Sequence, residues 1–286
     1  MLSITVPGVS ADLSKPLRKR DPLCQGDNDG VRFLFDMAFR WCYAEGTASA
    51  SKLVRDMAER EDTQLTVRAT QSVALTANGL AFSETTLPGC YVAVRPSVMA
   101  DLWADQQFLV CMYLTLPTSA DWAIATKAIF QGSESGTSFN GAPDFGFIGY
   151  GSGAASLSFR RQTAVGAAKT LVLGAGAIEA YGKFTQVAMW RTGSAFAARV
   201  KTKDLTTGTS AAAGDLNTAD FSAATGGFGM PIGFWSYNGL SADELRLNNF
   251  KLHRGFIENL ARSGRDPAAV LDADWERQVA RGVWSI

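Results

Sequence analysis

Between Val31 and Trp41 every second residue is apolar: Val31, Phe33, Phe35, Met37, Phe39 and Trp41, with Arg32, Asp36 and Arg40 between them. Side chains alternate across a sheet with a period of two, so this run predicts a strand. A helix would also gather Leu34, Met37, Ala38 and Trp41 on one face. The aromatic content favours the strand. Short runs of the same kind recur at 64–68, 80–83, 90–95, 108–116, 122–130, 145–150, 155–160, 169–173, 184–190, 195–201, 232–235 and 245–252. Turn pairs separate them, among them Asn78-Gly79, Pro88-Gly89, Gly193-Ser194 and Asn238-Gly239. Many short strands joined by polar turns specify an all-β antiparallel sandwich or barrel. Residues Ala155, Leu157 and Phe159 against Ser156, Ser158 and Arg160 describe a strand with one dry and one wet face.

The segments outside this pattern divide the chain. Residues 1–30 carry Pro7, Pro16, Pro22 and the turn-rich 26–30 stretch, which reads as an irregular N-terminal arm. Lys15, Arg18, Lys19 and Arg20 make it basic, and Leu13, Leu17 and Leu23 give it something to bury against a partner. Residues 31–260 form the sandwich. Within it, 49–61 reads as a short helix or a long loop, and the Gly/Ser/Thr/Ala-rich 206–229 stretch as loop. Residues 261–286 form a C-terminal helix. There Asp266-Pro267 supplies a cap and a first-turn proline, and Gly282 supplies the stop. Ala268, Leu271, Trp275 and Val279 recur at helical spacing, and that stripe is expected to pack on the chain's own sandwich.

Charge and rare residues limit the function. The 286 residues hold 27 basic and 27 acidic side chains. Zero net charge argues against a sequence-independent nucleic-acid binder and against a polybasic membrane anchor. No apolar run is long enough to span a bilayer. Residues 1–20 lack the apolar core of a secretory signal, so synthesis in a cytoplasm is expected. Cys24, Cys42, Cys90 and Cys111 form no C-x-x-C pair, and buried reduced thiols are expected, though the spacing leaves disulfides open. The single histidine, His253, excludes a His-rich metal site. It has no Gly-x-Ser-x-Gly elbow to serve, and reads as a structural or edge residue.

Several stretches resemble a laminin-G-like, concanavalin-A-type jelly roll. They are Phe33-Leu34-Phe35-Asp36, then Asn78-Gly79-Leu80-Ala81-Phe82 followed by Tyr91-Val92-Ala93-Val94, and then 108–116. Residues 182–190 resemble the family's W-x-x-V-A strand, with Phe184 in the Trp position, and 247–256 resembles its last strand. The resemblance covers about 31–260. It implies a jelly-roll β-sandwich of the kind found in glycan-binding proteins and in bacteriophage tail, fibre and decoration proteins. The implied function is a non-enzymatic structural part of a virion. Its arm would dock on other virion proteins, copies would self-associate, and host-surface polysaccharide would be the ligand.

Glycosidases share the fold and need paired carboxylates across a cleft. The Glu-x-Asp-x-(x)-Glu strand of those branches is absent. Glu59-Arg60-Glu61-Asp62 has the wrong spacing, and Asp243-Glu244 lacks a third acid. No catalytic residue is therefore assigned. The Gly149–Gly153 run lacks the Gly-Lys-Ser/Thr ending of a phosphate loop and reads as a hairpin turn. Sugar binding needs flat rings beside amides and carboxylates. Trp235, Tyr237 and Asn238 supply that set in one loop, and Asn140 and Asp144 in another. Domains of this family can hold calcium at the rim, where Asp144, Asn140 and Asp243 could serve. No clustered acidic loop accompanies them, so no metal or other cofactor is expected.

Overall fold

The computed structural model describes residues 21–24, 30–43, 52–58, 63–66, 73–76, 79–82, 90–118, 127–133, 140–151, 156–174, 179–230 and 250–284. Among them two antiparallel sheets of eight strands each lie face to face. The first contains β1 (Val31–Asp36), β4 (Ala74–Thr76), β5 (Gly79–Phe82), β7 (Phe108–Thr115), β12 (Phe184–Arg191), β13 (Ala195–Lys201), β14 (Thr206–Ala212) and β16 (Phe250–Asn259). Their order is β14-β13-β12-β7-β16-β5-β4, with β1 also on β16. The second contains β2 (Lys52–Val54), β3 (Thr63–Thr66), β6 (Cys90–Ala93), β8 (Lys127–Ser133), β9 (Gly146–Gly151), β10 (Ser156–Ala164), β11 (Ala167–Leu173) and β15 (Thr225–Met230). Its order is β11-β10-β9-β8-β15-β6-β3-β2. This is the expected all-β jelly-roll sandwich, with a C-terminal helix.

Alternation decides which side chains meet between the sheets. In the first sheet Val110, Met112, Val187, Met189 and Gly255 share the inner rows. A Cβ on Gly255 would lie 2.6 Å from Phe35 and 3.0 Å from Phe228, so glycine is needed where two rings cross the strand. Phe35 and Phe228 meet edge to face at 5.2 Å between ring centres, and Phe130 follows at 4.9 Å from Phe228. The four cysteines are buried as thiols.

The run Phe-Leu-Val-Cys-Met-Tyr-Leu of β7 is apolar without alternation, and seven of its eight residues are buried. Such a strand is covered on both faces. Its second cover is α3 (Pro267–Arg281), which follows α1 (Pro96–Asp105) and the short α2 (Leu260–Ser263) in the chain. Asp266 caps α3 by accepting from the Ala269 N–H at 2.9 Å, and Gly282 ends it in the left-handed region at φ 60°. Leu271 and Trp275 are buried as the helical spacing predicts, against the chain's own sandwich. Val279 is 43% exposed, and the buried stripe instead takes in Asp274 and Gln278.

Other expectations are corrected. β1 stops at Asp36, because its carboxylate accepts from the Ala38 N–H at 2.9 Å and turns the chain. The 206–229 stretch is not all loop, since it contains β14 and most of β15. β14 has no large apolar residue and β15 is glycine-rich, so neither announces itself. Glycine is needed in β15: a Cβ on Gly227 would come 1.9 Å from the Val92 carbonyl oxygen. Within 49–61, Lys52–Val54 is a strand. The Pro-started helix α1 lies between two strands expected in succession. Residues 1–20 of the arm lie outside the described residues. Its Pro22–Cys24 turn has Leu23 and Cys24 buried in the domain.

Candidate functional site

The outer face of the first sheet is unusually polar for a buried surface. Strand register aligns Tyr113 of β7 with Gln186 of β12 on one side and Arg254 of β16 on the other, and Arg254 with Asp36 of β1. These side chains therefore point the same way, beneath α3. Arg254 is fully enclosed. Its Nη1 donates to Asp21 at 2.9 Å and Asp36 at 3.1 Å, and its Nη2 to Asp21 and Asp274, both at 3.2 Å. Asp274 also accepts from Tyr113 Oη at 2.9 Å, Arg277 at 3.2 Å and Gln278 at 3.1 Å. Arg281 donates to Asp36. Three guanidiniums thus face three carboxylates. Gln186 extends the network, donating to Tyr113 Oη at 2.7 Å and to the Leu271 carbonyl at 2.9 Å.

Burial alone would raise the Asp21 carboxyl, but the Arg254 charge and hydrogen bonds hold it below its ordinary value. Burial acts on Arg254 in the opposite direction and is outweighed by Asp274, Asp21 and Asp36, so the guanidinium stays charged. Burial also pushes the Tyr113 hydroxyl well up, and Asp274 adds to the effect. Tyr113 is a permanent donor here.

One edge of this network opens into a cleft of about 490 Å³. Asp21, Asp36, Arg277, Gln278 and Arg281 supply its polar wall, and Pro22, Phe39, Met57 and Ala280 its apolar wall. The Asp36-capped turn places Phe39. Met57 is placed by its N–H, which donates to the Leu34 carbonyl at 2.8 Å, and by Asp56, which accepts from Leu34 and Ala58. The side chains of Arg277 and Arg281 are each 32% exposed. The arrangement offers two partly exposed guanidiniums and one half-buried aromatic ring to a small polar ligand, while its carboxylates and amide are buried and bonded within the network.

Neither Asn140 nor Asp144 lines this cleft. Trp235, Tyr237, Asn238 and Asp243 lie outside the described residues. Asn140 and Asp144 share a loop, but Asp144 is buried. Its carboxylate accepts from the Asn140 N–H, and its own N–H donates to Gln162 at 2.8 Å. Gln162 in turn donates to Asn140 Oδ1 at 3.0 Å, and Asn217 to the Asp144 carbonyl at 2.9 Å. These groups fix the loop to β10 and to the 213–221 segment. His253 is buried, hydrogen-bonded to Thr115 at 2.8 Å and packed against Phe184 and Trp284. Among the described residues no three His, Cys, Asp or Glu side chains cluster as metal ligands. Among them, too, no helix is long and apolar enough to cross a membrane.

The cleft residues come from four separated parts of the chain. The one signal in sequence was the pairing of acids and arginines on α3 at helical spacing, which the apolar stripe obscured.

No family model and no curated protein sequence matches the chain. Solved structures are similar to parts of the chain at low identity. Peanut lectin is 12% identical, with a TM-score of 0.40 over 69% of this chain and 89% of the lectin. A GH54 α-L-arabinofuranosidase is 10% identical, with a TM-score of 0.43 over 72% of this chain and 47% of the enzyme. Tailspike protein 2 of the Escherichia coli bacteriophage CAB120 is 12% identical, with a TM-score of 0.38 over 67% of this chain and 24% of the tailspike.

Proposed function

We propose that the chain is a non-enzymatic carbohydrate-recognition component of a bacteriophage virion, and that the α3 cleft is its sugar site. The observation that carries the sugar reading is the lining of that cleft. The ring of Phe39 and two partly exposed guanidiniums, Arg277 and Arg281, line a volume suited to one or two sugar rings, with the carboxylates behind them holding the guanidiniums in place. Planar polar groups pair with adjacent hydroxyls, and the ring stacks on the apolar face of a sugar. The same groups do not favour hydrolysis. A glycosidase needs a carboxyl kept protonated at working pH, whereas Asp21 is held ionised.

The virion setting rests on the order of jelly-roll-like strands behind a basic, proline-spaced arm. Asp21 ties the root of that arm to Arg254, so an arm docked on neighbours would hold the cleft in a fixed orientation.

The test is calorimetric titration of the chain with oligosaccharides from candidate host-surface polysaccharides. Phe39→Ala is expected to weaken binding about tenfold, the worth of one stacked aromatic contact, without changing the far-UV spectrum. Loss through Trp235→Ala and Tyr237→Ala, with Phe39→Ala unchanged, would move the site to the 234–239 loop. Absence of heat with every oligosaccharide would end the sugar reading. Release of reducing ends by the intact chain would end the non-enzymatic one.

A further inference from the structure

Away from the α3 network, two buried arginines lack the carboxylates that Arg254 enjoys. On β10, Leu157, Phe159 and Arg161 share a row, and Leu157 and Phe159 are fully buried. On β12, Val187, Met189 and Arg191 share a row that faces the opposite sheet. A Cβ on Gly146 would lie 2.9 Å from the Met189 methyl, and Gly146 is the register partner of Arg161. The Arg161 guanidinium lies 5.9 Å from the Phe196 ring centre, and Phe196 is the register partner of Arg191. The two inner rows, one from each sheet, therefore end in cations at the same end of the sandwich.

Arg161 is 2% exposed and Arg191 5%. Both donate to carbonyl oxygens. Arg161 donates through Nη2 to Ala213 and, at 2.7 Å, to Asp215, while Arg191 donates through Nη1 to Gln106 at 2.9 Å. The Nε of each is buried with no hydrogen-bond partner. Neither forms an ion pair among the described residues. The acid whose charge reaches Arg161 is Asp215, an exposed residue. The Gln106 side-chain amide closes the region on the Asn217 backbone, donating to its carbonyl at 3.0 Å and accepting from its N–H at 2.7 Å. Buried charges in proteins are paired or bind ions, because desolvation without a partner is costly.

We propose that Arg161 and Arg191 form an internal site for one small monovalent inorganic anion of the halide class. Two guanidiniums against one carboxylate leave a single positive charge to be balanced. The enclosure of both side chains restricts the ligand to a small ion. The vacant Nε–H groups supply its donors. Burial lowers both guanidiniums, Arg161 to about 10 with the Arg191 charge contributing, and an anion between them would relieve that repulsion. The site is separate from the α3 cleft and does not depend on its ligand.

The probe is chloride. The chain is exchanged into sodium gluconate, whose anion is too large to enter, and chloride is titrated in at constant ionic strength while Tm is followed. A saturable rise is expected, roughly 5 °C at a hundredfold excess over Kd. Arg191→Gln keeps a polar side chain and is expected to abolish the saturable part. Crystals grown in bromide are expected to show anomalous scattering within hydrogen-bond distance of both guanidiniums, which tests the site without any variant. A flat Tm in the native chain overturns the proposal, as does an equal rise in a folded Arg191→Gln chain. A bromide peak located elsewhere does so too.

Discussion

Replacing Arg254 by Met removes the one cation shared by Asp21, Asp36 and Asp274, while the methionine retains much of the buried volume. Three ion pairs of 2.9–3.2 Å, one to each carboxylate, disappear. The carboxylates keep only Arg277 and Arg281, whose side chains are partly in solvent. Removing one partner of a buried ionic cluster costs about 3–5 kcal/mol, because the remaining charge stays desolvated. For a domain of this size that is a fall in Tm of roughly 6–10 °C. Urea unfolding followed by tryptophan fluorescence measures it well, since Trp275 lies stacked on Tyr113 at 6.3 Å within the same network. The midpoint is expected to fall with an unchanged slope, as the exposed area on unfolding is the same. The dependence on pH has a definite sign. In the native chain the Asp21 carboxyl lies below its ordinary 3.8. Its contribution to stability is therefore whole above about pH 5, and is lost as pH falls through the folded value below 3.8. In the variant, burial is no longer offset and the carboxyl protonates earlier, so the gap between the two chains narrows as pH falls from 5 toward 3. A loss under about 1 kcal/mol at pH 7, or a gap independent of pH, would mean that the cluster behaves like surface ion pairs and would refute the reasoning.

Three further outcomes are expected. Gly227→Ala should prevent normal pairing of β15 with β6, since its Cβ would meet the Val92 carbonyl at 1.9 Å; a Tm drop of more than about 8 °C or loss of soluble protein checks it. A thiol reagent should find no reactive cysteine in the native chain and four after denaturation, because all four thiols are buried and burial raises those of Cys42 and Cys111. Asp266→Ala should cost about 1 kcal/mol in urea unfolding by removing the α3 cap, with sugar binding retained.

β10 and β13 were legible in sequence because apolar and polar residues alternate along them, but the expected wet face is covered too, since Ser156, Ser158 and Arg199 are buried. β14 also alternates in exposure, but with Thr, Gly, Ser and Ala, residues that carry no hydrophobic signal. The helix α3 was legible through Asp266, Pro267 and Gly282, which act locally. Its buried face was misjudged at Val279, because the partner surface is polar and selects Asp274 and Gln278 instead. The cleft escaped for a related reason. Asp21, Asp36, Met57 and Arg277 become neighbours only through β1 pairing with β16 and α3 folding across both, and no local spacing encodes that. Asp144 was read from sequence as a possible sugar or calcium ligand, and the structure places its buried carboxylate on the Asn140 N–H of its own loop.

The position of β16 has a consequence for how the chain reaches this state. It is the last strand in sequence, yet it sits between β7 on one edge and β5 and β1 on the other, with Val31 paired to Glu258. During synthesis β1, β5 and β7 emerge long before their common partner. Until residues 250–259 leave the ribosome, those three strands carry unpaired edges, and Arg254 is not there to neutralise Asp21 and Asp36. Closure of the first sheet is therefore a late, long-range event with a high loop-closure cost. A nascent chain stalled before Phe250 should be the species that chaperones hold and that aggregates when they are depleted.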